Sequence, residues 1–434
     1  MKKNYQTKNV PRATTEGVVL PASVTLAMAE LADSVREGLL ALAVGAGLQV
    51  MATMMQHDVA ALCGPKGRHD PQRSAVRHGS EAGSVTLGGR RVPVRRPRVR
   101  TADNTGELPV PSYEAFSSSE LLDGMALEKM MAKLSTRRYR AGLEPVGATV
   151  AATAKSTSRS AVSRRFVAAT ERALDELMSA DLSGLDVVAL MIDGVHFAGH
   201  LCVVALGIGI DGTKHPLGLV EGSTENATVV RALLTDLRER GLDVTRPTLV
   251  VIDGAKALAS AVREVFDRPV IQRCQLHKVR NVENHLPDAL GATVAKKMRA
   301  AYHDPNPLTA QASLEALAKS LAKTHPGAAG SLREGLAETL TIARLGVPPT
   351  LARTLRSTNA IESMIEICRD HSTNVKRWRG GQMALRWCAA GMGEAAKQFR
   401  RVNGHLHLPA LRVALDRHAT IAVTPTCDTD HEAA

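Results

Sequence analysis

Two aspartates each end an apolar run that is typical of a buried strand. The runs are VVALMID, which ends at Asp193, and TLVVID, which ends at Asp253, and glycine follows both. A carboxylate at the end of a strand lies on rigid backbone at the edge of a sheet, and two from adjacent strands can share a divalent cation. An Asp-Gly pair can also simply begin a loop. For either aspartate alone, the loop is the better interpretation.

The segment around these aspartates changes from a helical to a strand-like period at Asp186. The runs 187–193, 201–210 and a third run after Asp211-Gly212 predict three antiparallel strands, since Asp-Gly between such runs indicates a hairpin turn with a structural Asp211. A helix, a parallel strand, a helix and a further strand are predicted next. This order is the plan of an α/β ribonuclease H-like fold. With both aspartates in that topology, we favour a metal site over two unrelated loops.

Charge and composition limit the class of protein. The 434 residues carry a formal net charge of +12, which favours a polyanionic partner such as nucleic acid, although an ordinary basic protein would look similar. We expect no membrane helix, no signal peptide and a cytoplasmic location, because no apolar run is expected to approach the roughly 20 residues that a membrane helix requires. The six cysteines lack a CxxC pair or a regular framework, so no disulfides are expected.

A glycine-rich basic tract contains six arginines within eleven residues and no acid among them. We expect this tract to bind DNA phosphates as an extended arm with short strands, kept at a sheet edge by Pro93 and Pro97. A solvated charge run is the alternative. The arginines are Arg90, Arg91, Arg95, Arg96, Arg98 and Arg100.

Helical patterns flank this tract. Apolar spacing over 21–63, interrupted at Gly45 and Gly47, predicts a helical hairpin that packs within the chain or in a dimer. The segment STSRSAVSRRFVAATERALDEL is similar to the second helix of a helix-turn-helix, with Val162 and Phe166 anchoring its inner face. Its expected DNA contacts are Arg159, Arg164 and Arg165.

Three separated blocks carry a family resemblance. Asp253-Gly254, Leu258, Val265-Phe266 and then QRCQLHKVRN (272–281) resemble the signature of the Mutator-type bacterial insertion-sequence transposases, a DDE family. Ala257, Asp267 and Pro269 depart from the usual residues, but they belong to the helix and its exit loop. The basic block from 77 and the block RSTNAIESMIEICRDHSTNVKRWRGGQMALRW extend the resemblance over most of 75–405. In the last block Glu362 matches the third catalytic acid; without the resemblance it would be an ordinary exposed helical glutamate.

The resemblance implies a mechanism and partners. Asp193, Asp253 and Glu362 would be the catalytic and metal-binding residues, holding two Mg²⁺ ions, with Mn²⁺ as a possible substitute. The implied reactions are cleavage at terminal inverted repeats and strand transfer into target double-stranded DNA. A homodimer or higher oligomer on DNA and association with the bacterial nucleoid are also expected. The rival functions are a non-catalytic DNA-binding regulator and a metal-dependent nuclease without strand transfer.

Two motif residues near the proposed site are ambiguous. Cys274 and His277 form CxxH, which is half of a structural zinc site, but no second pair stands at suitable spacing. We favour local structure beside the active site, with His277 contacting DNA or a carboxylate. Trp378 is suited either to stacking on an unpaired base or to the core.

The predicted organisation has six parts. They are an amino-terminal helical hairpin and basic arm (1–112), a helix-turn-helix-like DNA-binding domain (113–182), a first part of the catalytic core (183–285), a helical insertion (286–352), a second part of the core (353–415) and a flexible tail (416–434).

Overall fold

A computed structural model describes residues 22–68, 70, 72–222, 224 and 226–423. The described chain divides into two compact units. The amino-terminal unit comprises the described residues up to Leu122 together with Arg140–Ser158, and the core unit comprises Asp123–Tyr139 and the residues from Arg159 onward. The division therefore passes through the segment 113–182, which was predicted as one domain.

The amino-terminal unit combines a long helix with a β-hairpin. Its main elements are α1 (Ala22–Cys63), β1 (Ala75–Leu87), β2 (Arg90–Thr101), β3 (Glu107–Leu108) and α2 (Pro111–Ser117). The helix α3 (Ser119–Met131) and a 3₁₀ turn (Tyr139–Gly142) cross the boundary between the units, and α4 (Ala148–Thr153) follows.

The predicted helical hairpin over 21–63 is wrong, because α1 is one continuous helix from Ala22 to Cys63. Gly45 and Gly47 each weaken a helix by only about 1 kcal/mol relative to alanine, and no proline interrupts the segment. The carboxyl-terminal part of α1 packs on the hairpin through Met55 and Val59. Asp58 also accepts a hydrogen bond from the backbone of Ser112.

The expectation that no apolar run reaches membrane-spanning length is also wrong. Val35–Cys63 is long and apolar enough to cross a membrane by length and composition, with a mean hydropathy of 1.7. Such a helix near the amino terminus is weak evidence for a membrane span. Met55 and Val59 of this segment pack against the hairpin, and 11% of the apolar window is buried.

The arginine tract forms β2, which pairs with β1 in an antiparallel hairpin. The turn is Gly88-Gly89, and both glycines have positive φ (54° and 73°), as a tight hairpin turn requires. Pro93 and Pro97 pair with β1, whereas β3 pairs only with Val99 and Arg100. At Pro93 and Pro97, β2 is therefore paired with β1 on one side and not with β3 on the other. This agrees with the expected position at a sheet edge.

The core unit contains a five-stranded mixed sheet in the predicted order of elements. The elements are α5 (Arg159–Ser179), β4 (Val187–Phe197), β5 (His200–Gly209), β6 (Lys214–Gly222), α6 (Ala227–Glu239), β7 (Thr248–Ile252), α7 (Lys256–Val265) and β8 (Pro269–Arg273). The strands lie in the order β6-β5-β4-β7-β8; β4, β5 and β6 pair antiparallel, and β4, β7 and β8 pair parallel. Asp211 accepts a hydrogen bond from the backbone of Thr213, so its role in the turn is structural, as predicted.

Helices cover both faces of this sheet, and the side chains of each strand alternate between the two cores. Leu190 and Ile192 of β4 belong to the cluster that contains α6 and α7. Ala189 and Met191 belong to the opposite cluster. In β7 the same parity holds, since Val250 and Ile252 join the first cluster and Leu249 and Val251 join the second.

The remaining chain is helical. The helices are α8 (Gln275–Glu283), α9 (Asp288–Tyr302), α10 (Pro307–Leu321), α11 (Pro326–Arg333), α12 (Leu336–Thr339), α13 (Thr341–Arg344), α14 (Pro349–Leu355), α15 (Asn359–His371), α16 (Gly381–Gln398) and α17 (Leu408–Val423). Helices α8 to α12 share a core of their own, in the region where a helical insertion was predicted. Helices α15, α16 and α17 pack on the second face of the sheet. A flexible tail from 416 is wrong up to Val423, where α17 ends, and 424–434 lie outside the described residues.

Candidate active site

Asp193 and Asp253 lie side by side at the same level of two adjacent parallel strands. The register pairs Leu190 with Val250 and Met191 with Val251. Two residues further on, β4 reaches Asp193, and Asp253 directly follows the end of β7. Both aspartates have the parity of the side chains that face α15, α16 and α17. Sheet register and parity therefore direct both carboxylates to the same face.

Each aspartate uses one carboxylate oxygen to fix its own loop. The Oδ1 atom of Asp193 accepts from the backbone N–H of Gly194 at 2.8 Å, and the Oδ1 atom of Asp253 accepts from Ala255 at 2.8 Å. Gly254 has a φ of 113°, a conformation that favours glycine and lets the chain turn directly after Asp253. No described residue donates a hydrogen bond to the other oxygen of either side chain, so both oxygens are free to bind a ligand.

Negative charge is concentrated around Asp193. Burial raises the pKa of the Asp193 carboxyl to about 6, and the charges of Asp253 and Glu362 add to that shift. The hydrogen bond from Gly194 and the charge of His277 act in the opposite direction. A buried carboxylate with two acidic neighbours is costly to ionise without a cation, so this position favours cation binding.

Glu362 lies in the first turn of α15, the helix that packs on the aspartate-bearing face of the sheet. Ile361 and Ile365 are buried on its inner side, while Glu362 is partly exposed. The Thr358 hydroxyl donates to Oε1 of Glu362 at 2.5 Å and so fixes the direction of the carboxylate. The amino terminus of α15 also adds favourable electrostatic potential for a negative group.

Cys274 and His277 stand between β8 and α15. Cys274 directly follows β8, is fully buried, and donates its backbone N–H to the Ile252 carbonyl, next to Asp253. His277 lies one turn later in α8, with Nε2 3.9 Å from Oε1 of Glu362. A hydrogen bond with Cys274 raises the pKa of His277 to about 9 against the effect of burial, and the charges of Glu362 and Asp253 contribute. His277 is therefore a cationic neighbour of the carboxylates.

A basic groove that no sequence pattern predicted passes beside α15. Its lining includes Lys214, Arg353, Arg400 and Arg401 together with Asn359, Ala360 and Ser363 of α15. Among the described residues, Arg353, Arg400 and Arg401 have no ion-pair partner, and all three are exposed. Lys214, Arg353 and the adjacent pair Arg400 and Arg401 come from three distant parts of the chain, so no local sequence signal groups them. Their charge beside α15 suits a polyanion in this groove.

The arginines of β2 form hydrogen bonds and ion pairs within their own unit, unlike the arginines of a free, extended arm. Arg90 is buried, and its guanidinium donates to the carbonyls of Gly88 and Glu144, a structural position rather than one facing a phosphate. Arg96 pairs with Glu81 and Arg98 with Glu107. The remaining arginines also have local acceptors, which are Ser84 for Arg91, Ser80 for Arg95 and Asn104 for Arg100.

The helix α5 has the predicted apolar anchors, with Val162 and Phe166 buried. Arg159 and Arg164 are exposed, while Arg165 lies 3.8 Å from Asp123. The helix packs on α16, where the rings of Phe166 and Trp387 are 4.6 Å apart. This contact makes α5 part of the core unit.

Trp378 packs in the core instead of lying free on the surface. Its ring is 4.9 Å from that of Phe197 and 6.3 Å from that of Trp387. Of the two roles considered from the sequence, the position favours the core.

Comparison with known proteins identifies the family. The sequence model described as "Transposase, Mutator family" matches residues 22–402. The chain belongs to the Mutator family of transposases. It is 26% identical over 405 residues to the transposase for insertion sequence element ISRM5 of Rhizobium meliloti (strain 1021), covering 92% of this chain and 96% of that protein. It is 32% identical over 238 residues to the transposase for insertion sequence element IS6120 of Mycolicibacterium smegmatis, covering 53% of this chain and 72% of that protein.

The Mutator-family match contains all three acids and spans residues of both units, ending at residue 402. Within this family member, the donor set of Asp193, Asp253 and Glu362 consists of hard carboxylate oxygens, which suit Mg²⁺. The free oxygens of the two aspartates and the raised pKa of Asp193 fit a cation that neutralises the cluster. The donor chemistry of the three acids is therefore of the kind that suits magnesium, while the described residues whose ligand atoms lie within 4.8 Å of one another are Cys274, His277 and Glu362.

Proposed function

We propose that this transposase cleaves DNA at the terminal inverted repeats of its insertion sequence and joins the ends to target DNA with a ribonuclease H-like core. One observation carries the proposal: Asp193 and Asp253 lie in register on adjacent parallel strands, on the face that α15 covers with Glu362 in its first turn. The strand order β6-β5-β4-β7-β8, with three antiparallel strands followed by two parallel ones, supports the fold assignment.

In this proposal the carboxylates of Asp193, Asp253 and Glu362 would hold two Mg²⁺ ions. The ions would activate a water or a 3′-hydroxyl and stabilise the leaving oxygen. The protein positions the ligands. Backbone N–H groups fix one oxygen of each aspartate and leave the other for metal, and the Thr358 hydroxyl orients Glu362.

The basic groove supports DNA as the substrate. Lys214, Arg353, Arg400 and Arg401 would contact phosphates of the strand that enters the site, because guanidinium and ammonium groups bind phosphate without reading sequence. Exposed Arg159 and Arg164 are then the candidates in α5 for contacts with the inverted repeats. A dimer or higher oligomer would bring two ends together for joining.

The test is a reaction of the purified chain with labelled DNA that carries the repeat ends, a target plasmid and Mg²⁺ or Mn²⁺. Joined products support the proposal. Cleaved ends without joined products would instead indicate a metal-dependent nuclease. Binding without cleavage in either metal would indicate a DNA-binding regulator and contradict the catalytic proposal.

A further inference from the structure

Three potential metal ligands of different chemistry lie close together at the start of α8 and α15. They are the thiol of Cys274, the imidazole of His277 and the carboxylate of Glu362, and their ligand atoms all lie within 4.8 Å of one another. A structural zinc site would complete the CxxH motif with a second Cys or His pair. The third ligand is instead a glutamate from α15, which the fold brings to the start of α8.

We propose that Cys274, His277 and Glu362 form a binding site for a thiophilic divalent cation such as Zn²⁺, and that an ion bound there inhibits the transposase by removing Glu362 from the magnesium site. The binding site stands on the geometry of these three side chains. Only the inhibition rests on the proposed function.

The geometry requires little rearrangement. Zinc binds sulfur at about 2.3 Å, and nitrogen and oxygen at about 2.0–2.2 Å, so its ligand atoms lie roughly 3.5 Å apart in a tetrahedron. The Nε2 atom of His277 is 3.9 Å from Oε1 of Glu362, and the widest separation in the group is within 4.8 Å. A movement of about 1 Å closes the site, and His277 and Glu362 are both partly exposed and have room to move.

The surroundings hold the sulfur and leave room for a fourth ligand. Cys274 is fully buried, and its backbone is fixed by the hydrogen bond to Ile252. The Thr358 hydroxyl lies 3.4 Å from Sγ of Cys274 and 3.4 Å from Nδ1 of His277, besides its bond to Glu362. One buried hydroxyl thus contacts all three ligands and can orient them, as outer partners do in metal sites. The exposed side of His277 and Glu362 is open to a water as the fourth ligand.

The chemistry of the ligands separates this site from the magnesium site. A thiolate selects zinc over magnesium, whereas Asp193 and Asp253 offer only hard oxygens. Glu362 is common to both sites, and its carboxylate cannot be held in both geometries at once. Zinc binding would therefore compete with assembly of the magnesium pair, and it would release the proton of the Cys274 thiol and the extra proton of the His277 imidazolium.

The binding test uses Co²⁺ as a spectroscopic substitute for Zn²⁺ on the purified full-length chain. We expect a thiolate-to-cobalt charge-transfer absorption at one equivalent, and its loss when excess Zn²⁺ is added. Cys274→Ser should abolish the band, and His277→Gln should weaken cobalt binding at least about 100-fold, since even outer partners cost about 10- to 100-fold. Cys63→Ser, which changes a cysteine of the other unit, is the matched control and should keep the band.

Asp193→Asn separates the two sites, because Asp193 belongs only to the magnesium set. This variant should keep the cobalt band and lose cleavage. A band that survives in Cys274→Ser, or cobalt binding that Asp193→Asn weakens as much as Cys274→Ser does, would overturn the site. Tryptophan-monitored unfolding of each variant shows that it is folded.

The inhibition test compares cleavage with and without micromolar Zn²⁺ at a constant excess of Mg²⁺. Zinc should lower cleavage by the wild type at least 10-fold, while the same ratio for Cys274→Ser stays near one. Equal inhibition of both proteins would overturn the inhibitory role. A wild type that never cleaves DNA contradicts the proposed function, whereas the cobalt band still decides the metal site.

Discussion

Replacing Asp193 by asparagine should stabilise the metal-free protein at neutral pH. Burial and two acidic neighbours raise the pKa of Asp193 from 3.8 to about 6. At 1.36 kcal/mol for each pKa unit, a shift of about 2 units corresponds to about 3 kcal/mol of unfolding free energy. Because the folded pKa is raised, this contribution is fully present below pH 3.8 and is lost as pH rises through about 6. Above that pH the ionised aspartate destabilises the fold, whereas asparagine does not.

The assay is urea unfolding in chelator from pH 4 to 8, followed by tryptophan fluorescence. The chain has two tryptophans, Trp378 and Trp387, and both report on the core unit. The unfolding free energy of Asp193→Asn minus that of wild type should rise by about 2.5 kcal/mol between pH 4 and 8, since a small part of the change already occurs below pH 4. Mg²⁺ should reduce the difference by binding native wild type. The exposed Asp267→Asn is the matched control and should give a flat difference. A flat difference for Asp193→Asn as well would refute a buried acidic cluster at this position.

Two further predictions concern the DNA groove and the orientation of Glu362. Arg400→Gln/Arg401→Gln should flatten the plot of log affinity against log salt by up to about 1.8, since each phosphate contact contributes about 0.9, in a salt titration on duplex DNA. The charge-matched control Arg238→Gln/Arg268→Gln changes exposed arginines elsewhere in the core unit and should leave the slope unchanged; equal slopes for both variants would place DNA elsewhere. Thr358→Val should raise the Mg²⁺ concentration for half-maximal cleavage by about 10- to 100-fold, because it removes the hydroxyl that orients Glu362. An unchanged magnesium requirement would show that this hydrogen bond does not position the carboxylate.

The strands of the core unit were predictable because local patterns report burial directly. The runs that end at Asp193 and Asp253 are apolar on both faces, as strands covered by helices on both sides must be. Their parallel pairing followed from the intervening helix. Glu362 was different, since a partly exposed glutamate in an amphipathic helix has no local signal, and only the family resemblance selected it.

Features that depend on distant residues were not predictable from local patterns. The six arginines of the basic tract have no acid among them, but the hairpin register brings Glu81 to Arg96, and β3 brings Glu107 to Arg98. The groove joins Lys214 to arginines far along the chain. The prediction for α1 was wrong for another reason. Gly45 and Gly47 were interpreted as a break between two helices, but both lie within one continuous helix.

The central claim is that three carboxylates carry the chemistry while the basic surface carries DNA affinity. The direct measurement compares Mg²⁺-dependent cleavage and joining of repeat ends with binding to the same DNA, for Asp193→Ala, Asp253→Ala and Glu362→Ala. Glu366→Ala, an exposed glutamate one turn later in α15, is the control. The account predicts that each of the three variants binds DNA nearly as well as wild type and yields neither cleaved nor joined product, while Glu366→Ala remains active. Cleavage at the wild-type rate by any of the three would contradict the assignment of that carboxylate.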